Sequence, residues 1–450
     1  MVNFRKKEAP LLFSGDILIF ILSLWLSLYF RFAEIPSWSR FLTHFQPFSI
    51  LFLIWLLVFF IAGLYEKHTL ILKNKLPSVI LNAQVMNSIF AIIFFYFIPY
   101  FGITPKTILF IYLAISFIFI LLWRLYGIRI LGARERQPAL LIGSGDEMKE
   151  LLEEINLNDR YDLKFVSSVD VRDLAQIDVQ NDLITPIYEN NIRIIVIDFS
   201  HENVTPLLPH LYNLIFSKVR FIDSHRIYED IFDRIPMSLV TYSWFLENIS
   251  VSHKSTYDIL KRIMDIAISL PIFILSLPLY PFIFLAIKLE DWGEIFGRQR
   301  RVGQNNQIVE LIKFRTMFFN DDGDWKEKGR VNQVTRIGAF LRKTRLDELP
   351  QLWNVLKGDI SLIGPRPEFP EPVKHYVEQI NYYNIRHIIK PGLSGWAQLY
   401  HELHPHHSYN VTETQNKLSY DIYYIKNRSF LLDIKIALKT IKTLLSRSGA

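Results

Sequence analysis

Residues 266–287 read IAISLPIFILSLPLYPFIFLAI, and this stretch decides how the carboxyl-terminal half of the chain folds. It is apolar and long enough to cross the hydrocarbon core of a bilayer, for which an α-helix needs about 20 residues. Proline interrupts it three times, at Pro271, Pro278 and Pro281. A proline inside a helix removes a backbone hydrogen bond and clashes with the preceding turn. The prolines therefore disfavour one straight helix.

Basic residues flank this apolar stretch on both sides. Lys261 and Arg262 precede it, and Lys288 follows it. Because Lys and Arg are enriched on the cytoplasmic side of membrane segments, this pattern favours both ends on that side. We predict a re-entrant helix over residues 257–289 that enters the membrane, breaks at Pro278 and returns. A helix that spans the membrane is the alternative.

Four more apolar runs fill the amino-terminal part of the chain, at residues 11–30, 48–65, 83–100 and 108–125. Each is close to the length of a membrane-spanning helix, and a backbone in lipid must satisfy its own hydrogen bonds. The runs predict a four-helix transmembrane region over residues 1–132. Buried helices of a soluble protein are the alternative, which the short polar gaps between the runs disfavour.

Basic residues divide unequally between the two ends of these runs. One side carries nine of them: Arg5, Lys6, Lys7, Lys67, Lys73, Lys75, Arg129, Arg134 and Arg136. The other side carries three: Arg31, Arg40 and Lys106. This asymmetry predicts that the amino terminus and all residues after 130 lie in the cytoplasm. Asp16 is the one acid expected near a membrane interior, and no intramembrane charge pair is expected, which disfavours a transporter.

Composition narrows the classes of function. Half of the 450 residues are apolar, the net charge is +6, and there is no cysteine. Disulfides, thiolate zinc sites and cysteine nucleophiles are therefore excluded. Because the basic residues lie near apolar segments, an anionic lipid bilayer is favoured as partner, and no nucleic acid is expected. The long first apolar run has no small-residue cleavage pattern, so no cleavable signal peptide is expected.

Short β-rich runs alternate with helix-like stretches over residues 133–250. The runs are residues 139–142, 163–166, 192–197 and 219–222. This alternation predicts a Rossmann-like α/β domain with a parallel sheet. Gly143-Ser144-Gly145 follows the first strand, as in a dinucleotide-binding turn, but Met148 stands where the third glycine belongs. A scaffold or regulatory domain is the favoured interpretation, with nucleotide binding as the alternative.

Charged residues concentrate in the last third of the chain. Two adjacent acids, Asp347 and Glu348, follow a basic segment that includes Arg342 and Arg345. Carboxylates can hold Mg²⁺ or attack phosphorus, and guanidinium groups bind phosphate oxygens. On spacing alone, however, a surface cluster with helix salt bridges is the more frequent explanation.

Residues 256–450 resemble the catalytic domain of the bacterial polyprenyl-phosphate phosphosugar transferases. The matching segments occur in the family's order: KRIMD (261–265), QRRVG (299–303), KFRTM (313–317), LDELPQLWNVLKGD (346–359), GPRP (364–367), KPGLSGWAQ (390–398) and DIYYIK (421–426). Four amino-terminal helices and a Rossmann-like domain are also similar to the large branch of this family. The resemblance thus covers essentially the whole chain.

The resemblance implies a multi-domain membrane protein of the bacterial inner membrane with a cytoplasmic, mostly helical, monotopic catalytic domain over residues 251–450. The implied reaction transfers a phosphosugar from a UDP-sugar to polyprenyl phosphate, with release of UMP, as the first membrane step of exopolysaccharide, O-antigen or capsule assembly. Asp347 matches the nucleophile, which forms a covalent phosphosugar intermediate. Glu348 matches the second acid of the pair, a metal ligand or proton acceptor, and both acids are candidate ligands of Mg²⁺. The basic residues matched to phosphate binding are Lys313, Arg315, Arg342 and Arg366.

Two positions depart from the family pattern. Leu277 precedes Pro278 where the family often has serine, and Ser276 lies one residue earlier. Arg345 stands where the family more commonly has serine, directly before the motif that begins at Leu346, and its charge is expected to lower the pKa of Asp347.

Other features leave alternatives open. The histidines at 401, 404, 406 and 407 favour a polar loop over a metal site. Tyr257 and Lys261 have the spacing of a dehydrogenase Tyr/Lys pair, which is treated as coincidence; a nucleotide-sugar dehydratase or epimerase would need it. Residues 430–445 form either a helix on the membrane surface or one packed on the catalytic domain. An inactive assembly scaffold is a further alternative, and the helical bundle offers a surface for a homodimer.

Overall fold

The protein is described by a computed structural model over residues 8–65, 76–98, 106–127, 136–158, 161–174, 178–199, 201–249, 255–318, 333–400 and 410–446. Two compact units are distinguished. One comprises residues 1–138 and 155–164, and the other comprises residues 139–154 and 165–450. The histidines at positions 401–407 lie outside the described residues.

The first unit contains four apolar helices. They are α1 (Glu8–Phe32), α2 (Trp38–Ile61), α3 (Leu76–Phe97) and α4 (Lys106–Leu122). Each contributes to a segment long and apolar enough to cross a membrane. Helix α2 begins at residue 38 rather than at the apolar run from residue 48, because Ser37 caps it by accepting a hydrogen bond from the Arg40 amide. Hydropathy marks the apolar middle of such a helix and not its capped end.

An ion pair lies inside this helical unit, contrary to the sequence-based expectation. Arg124 Nη2 lies 2.5 Å from Asp16 Oδ2, and both side chains are fully buried. Tyr65 donates a second hydrogen bond to Asp16, and Arg124 also donates to the Leu64 carbonyl at 2.9 Å. Because an unpaired charge in lipid is costly, this pairing ties α1 to the π-helical turn Trp123–Gly127 that follows α4. The partners are far apart in sequence, so the apolar character of each run concealed them.

A four-stranded sheet has the order β2-β1-β3-β4. Its strands are β1 (Gln137–Ile142), β2 (Leu163–Val169), β3 (Ile194–Ile197) and β4 (Arg220–Asp223). The pairs β1–β3 and β3–β4 are parallel, and all four residues of β3 are buried. The helices of this region are α5 (Asp146–Leu157), α6 (Thr185–Glu189), α7 (Leu208–Asn213), α8 (Ser224–Phe232) and α9 (Tyr242–Asn248).

The apolar stretch of residues 266–287 forms two helices joined by a tighter turn. Helix α10 (Ser255–Ser276) passes into a 3₁₀ turn at Leu277–Leu279, and α11 (Tyr280–Asp291) follows. Ser276 Oγ donates to the Phe273 carbonyl at 2.7 Å. The serine displaced by one residue from the family position therefore still supplies a hydroxyl to the backbone at this change of helix type.

The rest of the chain supplies short strands and helices around the acidic pair. The strands are β5 (Phe296–Val302), antiparallel to β6 (Ile308–Phe314), and β7 (Ser361–Ile363), parallel to β8 (Gly392–Ser394). The helices are α12 (Arg336–Thr344), α13 (Gln351–Lys357), α14 (Pro370–Gln379), α15 (Trp396–Tyr400), α16 (Val411–Asn427) and α17 (Phe430–Ser446). Ile283 and Ile287 of α11 pack with Leu341 of α12 and Phe314 of β6, and Leu346, next to the acidic pair, packs against this cluster.

Candidate active site

Asp347 lies just beyond the end of α12. Arg345 ends that helix with a left-handed backbone (φ 56°), and a 3₁₀ turn at Leu346–Glu348 follows. The turn directs Asp347 inward, where the side chain is buried. Its Oδ1 has no hydrogen-bond partner among the described residues. A buried carboxylate oxygen without a partner is costly unless a ligand or cation completes it, which marks this atom as a candidate reactive group.

Burial raises the pKa of Asp347, and the neighbouring Glu348 carboxylate raises it further, while Lys313 and Arg342 act in the opposite direction. The net pKa of Asp347 is raised and not lowered, and Arg345 is not among the groups with the largest effects on it. Arg345 Nη1 instead lies 3.7 Å from Glu348 Oε1, because the left-handed turn directs its side chain toward the second acid. The carboxyl group is thus partly protonated at higher pH than an exposed aspartate.

Glu348 connects the turn to a separate loop. Its Oε1 lies 3.5 Å from Arg366 Nη2 and 3.7 Å from Arg345 Nη1. Glu348 is partly exposed, whereas Asp347 is buried. The two adjacent acids therefore have different environments, which suits different chemical roles.

Three of the four basic residues matched to phosphate binding lie around the acidic pair. Lys313 and Arg342 act electrostatically on Asp347, and Arg366 approaches Glu348. Arg342 is held by a hydrogen bond from its Nε to Thr316 Oγ1 at 3.0 Å. Arg315 is engaged elsewhere, since its guanidinium pairs with Asp291 at the end of α11. The sequence pattern did not reveal that partner.

Asn354 fixes the strand that carries Lys313. Its side chain accepts a hydrogen bond from the Ile312 amide at 3.1 Å and donates to the Glu310 carbonyl at 2.8 Å. The Asn354 side chain, which comes from α13, therefore pairs with the backbone of β6 as a neighbouring strand would. Sequence reasoning missed this residue, although a buried polar amide within an apolar helix is a signal for such a role.

Helix α10 is attached to the same region by two charged residues. Arg262 donates to the carbonyls of Val355 and Leu356, at 2.7 and 2.6 Å, where the end of α13 leaves carbonyls unpaired. Asp265 accepts hydrogen bonds from Ser361 Oγ and the Leu362 amide, both at 3.0 Å. The polar end of the apolar segment thus holds both α13 and β7.

The loop that carries Arg366 rests on a buried ionic network of Glu368, Arg386, Lys417 and Asp421. Arg386 is 2% exposed and lies 2.8 Å from both Glu368 and Asp421, and it also donates to the Arg366 carbonyl at 3.0 Å. Lys417 pairs with Glu368 as well. Burial alone would raise the pKa of Glu368, but Arg386 and Lys417 hold it well below its usual range. The network thus pairs two acids with two bases beneath the loop that carries Arg366.

Tyr257 and Lys261 both contact the same buried acid. Lys261 Nζ and Tyr257 Oη each lie 3.0 Å from the buried Asp433 carboxylate of α17. Although these two residues have the spacing of a dehydrogenase pair, they attach α17 to α10. Ile436 and Lys439 of that helix are also buried, so packing of α17 on this unit is observed.

The carboxylate of Glu147 lies beside the turn Gly143-Ser144-Gly145. Gly145 has φ 92°, and Glu147 accepts hydrogen bonds from the Ser238 amide at 3.0 Å and the Ser238 hydroxyl at 2.6 Å beside it. A carboxylate at the start of this helix would repel a pyrophosphate, which supports the scaffold interpretation over nucleotide binding.

The acidic pair offers two carboxylates, those of Asp347 and Glu348, as ligands for a divalent cation. Among the described residues, no group of three or more His, Cys, Asp or Glu side chains is arranged to hold a metal ion. Mg²⁺ commonly takes only one or two carboxylates and completes its shell with substrate phosphates and water. Asp347 and Glu348, with the unpaired Asp347 Oδ1, fit that mode of binding.

Comparison with known proteins yields a consistent set of relatives. Residues 256–447 match the family described as bacterial sugar transferase. The chain is 42% identical over 201 residues to the UDP-N-acetylgalactosamine-undecaprenyl-phosphate N-acetylgalactosaminephosphotransferase of Aeromonas hydrophila, which covers 43% of this chain and 45% of that protein. It is 38% identical over 199 residues to the UDP-glucose:undecaprenyl-phosphate glucose-1-phosphate transferase of Caulobacter vibrioides, covering 43% of this chain and 72% of the relative.

A shorter relative is matched over most of its length. An uncharacterised sugar transferase of Bacillus subtilis is 35% identical over 193 residues, which are 42% of this chain and 90% of the relative. By contrast, the match spans less than half the length of the Aeromonas protein and of several other curated relatives.

Proposed function

Since this chain belongs to the bacterial sugar transferase family, we propose that it transfers a phosphosugar from a UDP-sugar to polyprenyl phosphate, releasing UMP and forming a polyprenyl diphosphosugar. One observation carries the proposal most directly. Asp347 is buried, its Oδ1 has no partner among the described residues, and basic side chains act on it or on its neighbour Glu348. A nucleophile for phosphorus needs this combination of a free oxygen and nearby cations.

In the first step, the Asp347 carboxylate attacks the β-phosphorus of the UDP-sugar. A bond forms between one oxygen of the Asp347 carboxylate and that phosphorus, and the bond to the bridging oxygen breaks, so UMP leaves with the bridging oxygen. The phosphosugar remains on Asp347 as an acyl phosphate. Lys313 and Arg342 are placed to offset the charge on the phosphate oxygens during this transfer.

In the second step, an oxygen of polyprenyl phosphate attacks the same phosphorus. The bond between phosphorus and Asp347 breaks, which restores the carboxylate and gives the lipid-linked diphosphosugar. Division into two in-line displacements lets a water-soluble donor and a lipid acceptor react in turn at one side chain. This order explains the use of a buried nucleophile close to an apolar segment.

Glu348 and Arg366 have supporting roles in this scheme. We assign Glu348, partly exposed between Arg345 and Arg366, as a ligand of Mg²⁺ together with Asp347. Mg²⁺ bound there supplies positive charge that stabilises the diphosphate. Arg366, held by the buried ionic network, is placed to bind a phosphate oxygen.

Membrane topology follows from the same proposal. We infer that residues 257–289 re-enter one leaflet, that the break lies at Leu277–Leu279, and that the acidic pair faces the cytoplasm of a bacterial inner membrane. The parallel sheet is inferred to be a Rossmann-like scaffold. The dehydratase or epimerase alternative loses support because Tyr257 and Lys261 both contact Asp433.

A donor panel tests the reaction. UMP release is measured with UDP-glucose, UDP-galactose and their N-acetylated forms, with undecaprenyl phosphate and Mg²⁺ present. We expect one donor to release UMP and to yield labelled lipid in equal amounts. The proposal fails if no donor gives both products with the full-length protein in a bilayer.

The pH dependence of the first step provides a second test. Burial and Glu348 raise the pKa of Asp347, and only the ionised carboxylate attacks, so the rate falls as the pH falls through that raised pKa. Glu348→Gln removes the like charge and also one proposed Mg²⁺ ligand, so each variant is measured at its own saturating Mg²⁺ concentration. Under that condition the acid limb of the pH–rate profile for single-turnover UMP release is expected to move to lower pH. The exposed Glu378→Gln serves as the matched control and leaves the limb in place. A limb that is unchanged or higher in the Glu348 variant contradicts this electrostatic assignment.

A further inference from the structure

The end of α11 has the features of a helix that reaches a membrane surface. Lys288 lies in its last turn, and Trp292, which is 78% exposed, ends it with a left-handed backbone. Basic and tryptophan side chains are enriched where membrane helices meet water. Glu290 and Asp291 lie between these two residues, so both acids are expected at the boundary between lipid and water.

Glu290 caps the helix that leads to Asp347. Its Oε1 accepts a hydrogen bond from the Arg336 amide at 2.6 Å, and its Oε2 accepts one from the Ile337 amide at 3.2 Å. These are the first two amides of α12, which have no partner within the helix. The negative charge also suits the amino-terminal end of the helix dipole. Thr335 caps the third amide, that of Gly338, at 2.9 Å, so Glu290 of α11 completes the capping of the first turn of α12.

The same helix has an independent attachment to the strand that carries Lys313. Thr316, just after β6, accepts a hydrogen bond from the Thr335 amide at 3.1 Å, and its hydroxyl accepts one from Arg342. Gly338 lies so close that a methyl group there would overlap the Thr316 carbonyl. Helix α12 thus has one polar attachment toward α11, at Glu290, and another toward β6, at Thr316.

The two attachments serve different parts of the reaction if the proposed function holds. The donor step depends on the position of Asp347 relative to Lys313 and Arg342. The Thr316 attachment maintains that position. The lipid step also depends on the depth of Asp347 relative to the membrane. We propose that Glu290 is a positioning residue that holds Asp347 at the depth where a lipid-borne phosphate reaches it. This inference rests on the proposed function.

The test separates the two half-reactions in the full-length protein in nanodiscs. Exchange of labelled UMP into the UDP-sugar, without lipid acceptor, reports the donor step, and transfer to undecaprenyl phosphate reports the complete reaction. For Glu290→Ala we expect exchange within about 3-fold of wild type and a transfer rate at least about 10-fold lower, since a small misplacement of a reacting group has effects of this order. Glu290→Asp, which keeps the carboxylate, is expected to restore part of the transfer.

Two comparison variants fix the interpretation. Glu294→Ala removes an exposed acid from the same connection and is expected to change neither rate. Gly338→Ala disturbs the Thr316 attachment and is expected to lower exchange and transfer together. If Glu290→Ala does not accumulate, Glu290→Gln carries the same comparison, because it keeps the side-chain length and one acceptor oxygen.

An equal loss of exchange and transfer in the Glu290 variants would overturn the inference, as would transfer within 3-fold of wild type. Absence of exchange in the wild-type protein with every UDP-sugar is a different result. It would overturn the proposed function, and the inference with it.

Discussion

Asp347→Asn is expected to lower UMP release by at least about 10³-fold, the scale on which enzymes lose activity when a nucleophile is removed. The amide keeps the shape of the buried side chain but has no anionic oxygen for attack on phosphorus. Protein incubated with a donor labelled in the sugar should carry label in the wild type and none in the variant. The measurement is single-turnover UMP release together with the mass of the intact protein.

Asp146→Asn is the matched control, because that side chain is 99% exposed at the start of α5. It is expected to retain wild-type release and labelling. The nucleophilic role of Asp347 is contradicted if its asparagine variant retains more than a hundredth of the wild-type rate, or if a labelled covalent adduct forms in its absence.

Arg386→Met is expected to cost about 3–5 kcal/mol of stability, because removal of one partner leaves buried charges unpaired. Glu368 and Asp421 both lose their 2.8 Å contact with the guanidinium. The midpoint of thermal unfolding should fall by on the order of 10 °C. Intrinsic fluorescence of the purified full-length protein during heating is the measurement.

Arg298→Met provides the comparison within the same unit. Arg298 pairs with Glu310 at 3.2 Å, but its side chain is 72% exposed, and exposed pairs contribute about 0–1 kcal/mol. We expect a shift of the midpoint much smaller than for Arg386→Met. Equal shifts in the two variants would show that the buried ionic network does not stabilise this unit.

The acidic pair could be found from the sequence because its signal is local. Asp347 and Glu348 are adjacent, and the segment that contains them, residues 346–359, is one of several short segments that occur along the chain in the family's order. The apolar helices could be found for a similar reason, since hydropathy accumulates over consecutive residues. Both features depend on neighbours in sequence.

Contacts between distant residues were not accessible in the same way. Asp16 and Arg124 are separated by more than 100 positions, and Arg315 meets Asp291 across a strand pair. The buried ionic network was missed because acids and bases in amphipathic segments resemble a solvated surface until the fold buries them. Burial also reversed the expected direction of the Asp347 pKa, since desolvation and Glu348 outweigh the nearby cations.

Both arms of the broken apolar segment carry their own attachments to the site. Arg262 and Asp265 hold α10 to α13 and β7, while Glu290 and Asp291 hold α11 to α12 and to Arg315. The apolar segment and the elements that carry the acidic pair are therefore held together by contacts within one contiguous stretch of the chain. The same stretch also contacts the preceding α/β region, for example through the ion pair of Lys426 with Glu229. The Bacillus subtilis relative is matched over 193 residues that make up 90% of its length, so it has little more than a stretch of this size.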